Sequence, residues 1–167
     1  MPQLTNEILL NNFDNELIGR LDSSDLIQLT SNQFLTPLEL YRFKDKSNLY
    51  LLHQTSPILN SKRSSFLNKL TDWFKSFKNL KIILLASADK SARNDSDILS
   101  NQLITFSKGS FGLKDKPNHL FGSNLLNTYF DNFDNVLGFC VFSTEGDNRF
   151  DAFLLFKTLS DYLNLPG

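Results

Sequence analysis

Two apolar runs, KIILLAS at residues 81–87 and VLGFCVF at residues 136–142, set the tightest limit on how this chain folds. Each is too short for a helix of ordinary length, is bounded by polar turn residues and, apart from Lys81, is uncharged, the pattern of strands covered on both faces. Around them the period changes. FLNKLTDWFKSF places Phe66, Leu67, Leu70, Trp73, Phe74 and Phe77 on one stripe of a helix, and DAFLLFKTLSDYL, beyond the second run, reads as a closing helix. Buried strands alternating with amphipathic helices predict an α/β fold: a layered, mixed but largely parallel sheet flanked by helices on both faces.

The other segments fit around that frame. LTNEILLNNF puts Leu4, Ile8, Leu9 and Phe13 on one side of a first helix, with Thr5 or Asn6 as its cap. ELIGRL and LIQL are short enough to be small strands. PLELYRF and NLYLLHQT both alternate apolar with polar residues across the turn Lys44-Asp45-Lys46-Ser47, which predicts a β-hairpin that makes the sheet mixed. QLITF reads as a further strand, KGSFGLKDKPNH as a loop, and LFGSNLLNTYF as the region of another helix. No internal repeat and no linker composition interrupts the chain, so residues 1–167 are expected to form one domain. Sixteen phenylalanines against one methionine and one tryptophan imply a stiff aromatic interior.

Charge and cysteine content exclude several classes. A formal net charge of −1 gives no basic footprint for nucleic acid. Cys140 is the one thiol, so neither an intramolecular disulfide nor a tetrahedral thiolate zinc site can form, which fits a reducing compartment. No apolar run approaches the roughly 18 residues of a membrane span, and the opening Met1-Pro2-Gln3 has no signal-peptide pattern behind it. The expectation is a soluble intracellular protein, with no membrane partner. Residues 62–81 hold Lys62, Arg63, Lys69, Lys75, Lys78 and Lys81 against Asp72 alone, a net +5, so the remainder totals −6. The simpler account is a lysine-rich solvated helix face; the other is a face that docks on an acidic protein.

Catalytic constellations do not assemble. His53 is placed on a strand, half-exposed and titrating ordinarily, and His119 in a loop; neither has a second ligand at metal spacing. No serine sits in a nucleophile elbow, Cys140 lies inside an apolar strand, and Gly109, Gly112 and Gly122 match no phosphate-binding pattern. That leaves FSTEGDN, residues 142–148, whose two carboxylates can be read as an acid pair, a metal loop or a helix cap. The cap needs only what those residues contain. Gly146 supplies a positive φ or a close backbone approach, and Asp147 or Asn148 caps the helix that begins near Phe150. A carboxylate held at a helix N-terminus keeps its charge, which makes it a poor general acid. SADKSARND follows KIILLAS in the same way, so both loops are expected at the C-terminal edge of the sheet, where many α/β folds bind ligands.

These loops carry a resemblance. Ser143-Thr144-Glu145-Gly146-Asp147-Asn148 with the helix after it, Ala92-Arg93-Asn94-Asp95, the stretch LYLLHQTSPILNSKRSSFLNKLTDWFKSF, and Met1-Pro2-Gln3-Leu4 with NEILLNN together resemble the proteasome assembly chaperone 2 family, collinearly over most of the chain. The resemblance implies a chaperone without catalysis or cofactor, in cytoplasm and nucleus. Such a chaperone pairs with proteasome assembly chaperone 1 as a heterodimer, binds α subunits of the proteasome core particle and scaffolds the α-ring. It also implies a sandwich shaped like nucleoside phosphorylases and peptidyl hydrolases, and signature loops (Arg93, Asn94, Asp95, Ser143, Glu145, Gly146, Asp147, Asn148) with structural or interface roles. Family members usually begin with an apolar strand and some end in a hydrophobic-Tyr-X tail. This sequence opens on the helix and stops at Leu163-Asn164-Leu165-Pro166-Gly167, which points to a short or divergent member. A small hydrolase or nucleoside-handling enzyme of similar fold, using the acidic loop and Arg93 to hold a polar ligand, and a homodimeric binding module of the same fold are the alternatives.

Overall fold

The computed structural model describes residues 2–21, 24–27, 37–46, 48–90, 102–112, 129–144 and 146–165. The chain divides into two units, Asn6–Trp73 and Met1–Thr5 with Phe74–Gly167. Helix α1 covers Pro2–Asn12. Thr5 and Asn6, the expected caps, lie inside this helix and are buried, so its first turn starts earlier than the cap rule places it.

In the unit Asn6–Trp73, strands β1 (Asn15–Leu21), β2 (Leu38–Phe43) and β3 (Tyr50–Gln54) form an antiparallel sheet in the order β1-β2-β3. The hairpin forms where alternation and turn chemistry place it, closed by the Phe43 N–H on the Leu49 carbonyl at 3.2 Å and the Leu49 N–H on the Lys46 carbonyl at 2.8 Å. Register puts Arg20, Glu39 and His53 directly opposite one another in one cross-strand row. Buried Glu39 accepts the Tyr41 hydroxyl at 2.6 Å and Arg20 Nε at 3.4 Å. Burial and the neighbouring Glu39 carboxylate push the Tyr41 hydroxyl up to about 12. His53 is buried, not half-exposed, and Asn6 Nδ2 of α1 lies 3.3 Å from its Nδ1. Alternation along a strand tells which residues share a face, but not that a helix covers that face.

ELIGRL is β1; of LIQL, Leu26 makes an isolated bridge to Ile58, whereas Gln28 and Leu29 lie outside the described residues. Helix α2 (Arg63–Lys75) buries Phe66, Leu67, Leu70 and Thr71, the core of the expected stripe. Lys69 Nζ and the Ser65 hydroxyl reach the buried Asp25 carboxylate at 2.7 and 3.1 Å, and the bond from Lys69 is the chief reason its pKa is lowered. The stripe stops short of Phe77, because α2 ends at Lys75 and the chain turns at Asn79, φ +57°.

In the other unit, β4 (Ile82–Asp89), β5 (Leu103–Lys108) and β6 (Val136–Ser143) form a second sheet in the order β4-β6-β5. β4 runs parallel to β6 and β5 antiparallel to it. The expectation of one largely parallel sheet is therefore corrected: the described residues form two three-stranded sheets, with a single parallel pair. The turn of residues 44–49 is too short for a crossover, which forces antiparallel pairing of β2 with β3. The stretch between β5 and β6 is long enough for either direction, so length and pattern leave that choice open.

β6 is buried along its apolar length, whereas β4 is half-buried over Ile83–Ser87. KIILLAS was expected to be covered on both faces, yet in the described sheet it has a neighbour on one side only, and β6 takes the centre. Phe106 lies opposite Gly138, and a Cβ there would sit 2.0 Å from the ring. Glycine is what lets that ring lie on the strand. Phe130 meets Phe106 edge-on at 5.3 Å on this face, while on the opposite face Phe139 meets Tyr162 of helix α3 (Arg149–Leu163) at 5.8 Å. Ala152, Leu155 and Leu159 bury the inner side of α3. Residues 129–132 are helical; the rest of LFGSNLLNTYF lies outside the described residues. No helix among the described residues is long and apolar enough to cross a membrane.

Candidate functional site

The corner from β6 into α3 is where the sequence concentrates its polar signal. Parallel register sets Asp89 opposite Ser143, so the segments leaving β4 and β6 start from the same edge of the sheet. Ser143 is half-buried at the end of β6, and Gly146 follows with φ +127°, the first of the two roles expected of it. Nothing lies within 4 Å of a Cβ built there, so glycine is needed for backbone conformation and not for space. Glu145, Arg93, Asn94 and Asp95 lie outside the described residues.

Asn148 occupies the N-cap position of α3, but its side chain makes no capping bond. Asp147 does that work from one residue earlier. Its Oδ1 accepts the Arg149 N–H at 3.2 Å, and the Arg149 guanidinium grips the carboxylate through Nε at 2.9 Å and Nη2 at 2.5 Å. The guanidinium, then the backbone N–H, hold the Asp147 carboxyl down at about 2. A group this firmly ionised and this exposed has no proton to deliver near neutral pH. The corner is built to start a helix.

Three contacts that the sequence reading missed hold it. Gln102 Nε2 donates to Oδ1 of buried Asp151 in the first turn of α3, and the Gln102 carbonyl accepts the Phe142 N–H at 2.9 Å. The Thr5 hydroxyl donates to the Ala152 carbonyl at 3.2 Å. Asp151 had a signal, an acid in the first helical turn. Gln102 and Thr5 had none, since their roles depend on segments 49 and 147 residues away.

Other ionisable groups are placed by packing. Burial lowers the pKa of His53 and pushes the Cys140 thiol up to about 11, which keeps that thiol protonated. His119 lies outside the described residues, and among them no three His, Cys, Asp or Glu side chains gather as a metal site. Phe150 and Phe153 on α3, 71% and 55% exposed, and Phe77, 48% exposed, are instead large apolar groups presented to solvent. The sequence hinted at this in α3, whose run DAFLLF is more apolar than one buried face requires.

The sequence profile of the PAC2 family matches residues 1–122. This chain belongs to the PAC2 family. It is 26% identical to proteasome assembly chaperone 2 of Danio rerio over 98% of this chain and 78% of that one. Its fold is similar to that of Pyrococcus furiosus PbaA, an archaeal homolog of proteasome-assembly chaperone, with a TM-score of 0.69, 15% identity, and coverage of 99% of this chain and 76% of that one. A Thermoplasma acidophilum protein of unknown function is similar in fold as well, with a TM-score of 0.68, 12% identity, and coverage of 97% and 70%. The PAC2 match covers α1 to β5 and ends before residues 143–148, the loop on which the resemblance chiefly rests.

Proposed function

We propose that this PAC2-family protein is a non-catalytic chaperone of proteasome core-particle assembly. The relationship to proteasome assembly chaperone 2 along nearly the whole chain carries this reading. The chemistry is consistent with it: Asp147 is locked as a carboxylate by Arg149, and Cys140 is buried as a thiol. Function then resides in surfaces. The chain works as one functional domain over residues 1–167 in cytoplasm and nucleus. It pairs with proteasome assembly chaperone 1, and the pair holds α subunits while the α-ring closes. Ser143, Gly146, Asp147 and Asn148 set the start of α3 and so the position of Phe150 and Phe153, and Glu145, Arg93, Asn94 and Asp95 share their structural or interface role.

Depleting the protein in its own cells and resolving core-particle precursors on native gels tests the reading. The expected result is fewer complete α-rings and an excess of free α subunits, rescued by the intact chain. An unchanged precursor profile after complete depletion contradicts it.

A further inference from the structure

The basic segment of residues 62–81 is not used uniformly. Lys69 is spent on Asp25 at 2.7 Å, and Arg63 is half-buried at the start of α2. Lys75, Lys78 and Lys81 remain exposed around the turn that joins α2 to β4, and among the described residues none of them forms an ion pair. No carboxylate occurs in the sequence between Asp72 and Asp89. The turn is tight: the Phe77 N–H bonds the Phe74 carbonyl at 3.1 Å, and Asn79 is left-handed. Lys81 lies over the Phe111 ring with its Nζ 5.7 Å from the centroid.

Lysine near a helix C-terminus is favoured by the dipole, but that effect fades beyond the last turn and accounts for Lys75 better than for Lys78 or Lys81. It gives no reason for Phe77, which stands 48% exposed between Lys75 and Lys78. An exposed aromatic ring flanked in sequence by lysines is the composition of an interface anchor with steering charges. Nucleic acid fits poorly, because the whole chain carries −1 and the corner offers three lysines and no arginine.

We propose that the Lys75–Lys81 corner docks an acidic protein surface that offers a recess for one aromatic ring, with Phe77 as the anchor and Lys75, Lys78 and Lys81 as the orienting charges. The proposal rests on the chaperone reading, since the acidic surface is taken to belong to a proteasome α subunit.

The test measures association and dissociation of the full chain, mixed with proteasome assembly chaperone 1, with purified α subunits, one at a time, at low and at high salt. The triple variant K75Q/K78Q/K81Q is expected to associate about tenfold more slowly at low salt and to lose most of the salt dependence, with dissociation little changed. F77S is expected to dissociate about tenfold faster with association retained. Thermal melting checks that each variant folds; if the triple variant does not, K78Q and F77S carry the same kinetic split. Wild-type binding to an α subunit that neither variant alters overturns the corner and leaves the chaperone reading standing. Failure of the wild type to bind any α subunit overturns both. Loss of affinity for a short DNA duplex, with α-subunit binding unchanged, overturns it in favour of nucleic acid.

Discussion

The two sheets are built on opposite plans. In β1-β2-β3 a polar row, Arg20–Glu39–His53, runs across all three strands and is satisfied by Tyr41 and Asn6, whereas the central strand of β4-β6-β5 is apolar and buried from Val136 to Phe142. The first is specified by directional hydrogen bonds within a polar row, the second by close packing of apolar side chains. A polar row tolerates small adjustments of its partners, but a ring laid on a glycine does not.

The largest effects should therefore fall in the second sheet. Phe106→Ala removes a fully buried ring and is expected to cost about 3–5 kcal/mol in urea denaturation. Gly138→Ala, whose Cβ would meet that ring, should cost about 1–3 kcal/mol by overpacking. The pair sharpens the comparison. If contact with Phe106 is the cause, F106L should recover part of the loss of G138A in a double-mutant cycle. In the first sheet, Leu52→Ala truncates a half-buried side chain opposite Leu40 and should cost only about 1 kcal/mol. A loss there equal to that of Phe106→Ala breaks the contrast.

Gly146→Ala is expected to cost about 1 kcal/mol, because the φ of +127° is unfavourable for an L side chain although space is open. It should shift the denaturation midpoint without changing its slope. The polar row has its own signature in pH. Burial holds the folded pKa of His53 below the ordinary 6.5, against the opposing pull of Glu7 and Glu39, so the unfolded chain binds the proton first as pH falls. The His53 contribution is thus present above about pH 6.5 and lost on going below it. His53→Gln should flatten the change in urea midpoint between neutral and mildly acidic pH, and an unchanged dependence would remove histidine from the row's energetics. The smallest effect is expected from Asp147→Asn. That carboxylate is fully solvent-facing, so its contribution, present above 3.8 and lost as pH falls toward about 2, should be slight and weakened by salt.

What sequence could reveal follows the same division. The β2–β3 hairpin and the buried face of α2 were legible because alternation, turn residues and helical spacing act over a few positions. At Gly146 the same local chemistry narrowed the choice to a positive φ or a close backbone approach, and the φ of +127° with open space around it selects the first. The centre of the second sheet was not: KIILLAS and VLGFCVF look equally apolar, and only β5, placed antiparallel from elsewhere in the chain, makes β6 central and leaves β4 half-covered. Asp147 and Asn148 were both readable as the cap, and the choice of Asp147 turns on Arg149, whose backbone N–H and guanidinium it accepts. Gln102 and Thr5 reach the start of α3 through tertiary structure alone. The chain's family could nevertheless be read from its sequence, and the PAC2 match over residues 1–122 bears that reading out.

The central claim, that this chain acts through surfaces in proteasome assembly, is tested most directly by native mass spectrometry of the purified chain mixed with proteasome assembly chaperone 1 and core-particle α subunits. The predicted result is a one-to-one chaperone pair that also appears as a mass carrying α subunits. A chain that stays monomeric, or pairs only with itself, and never appears with an α subunit contradicts it.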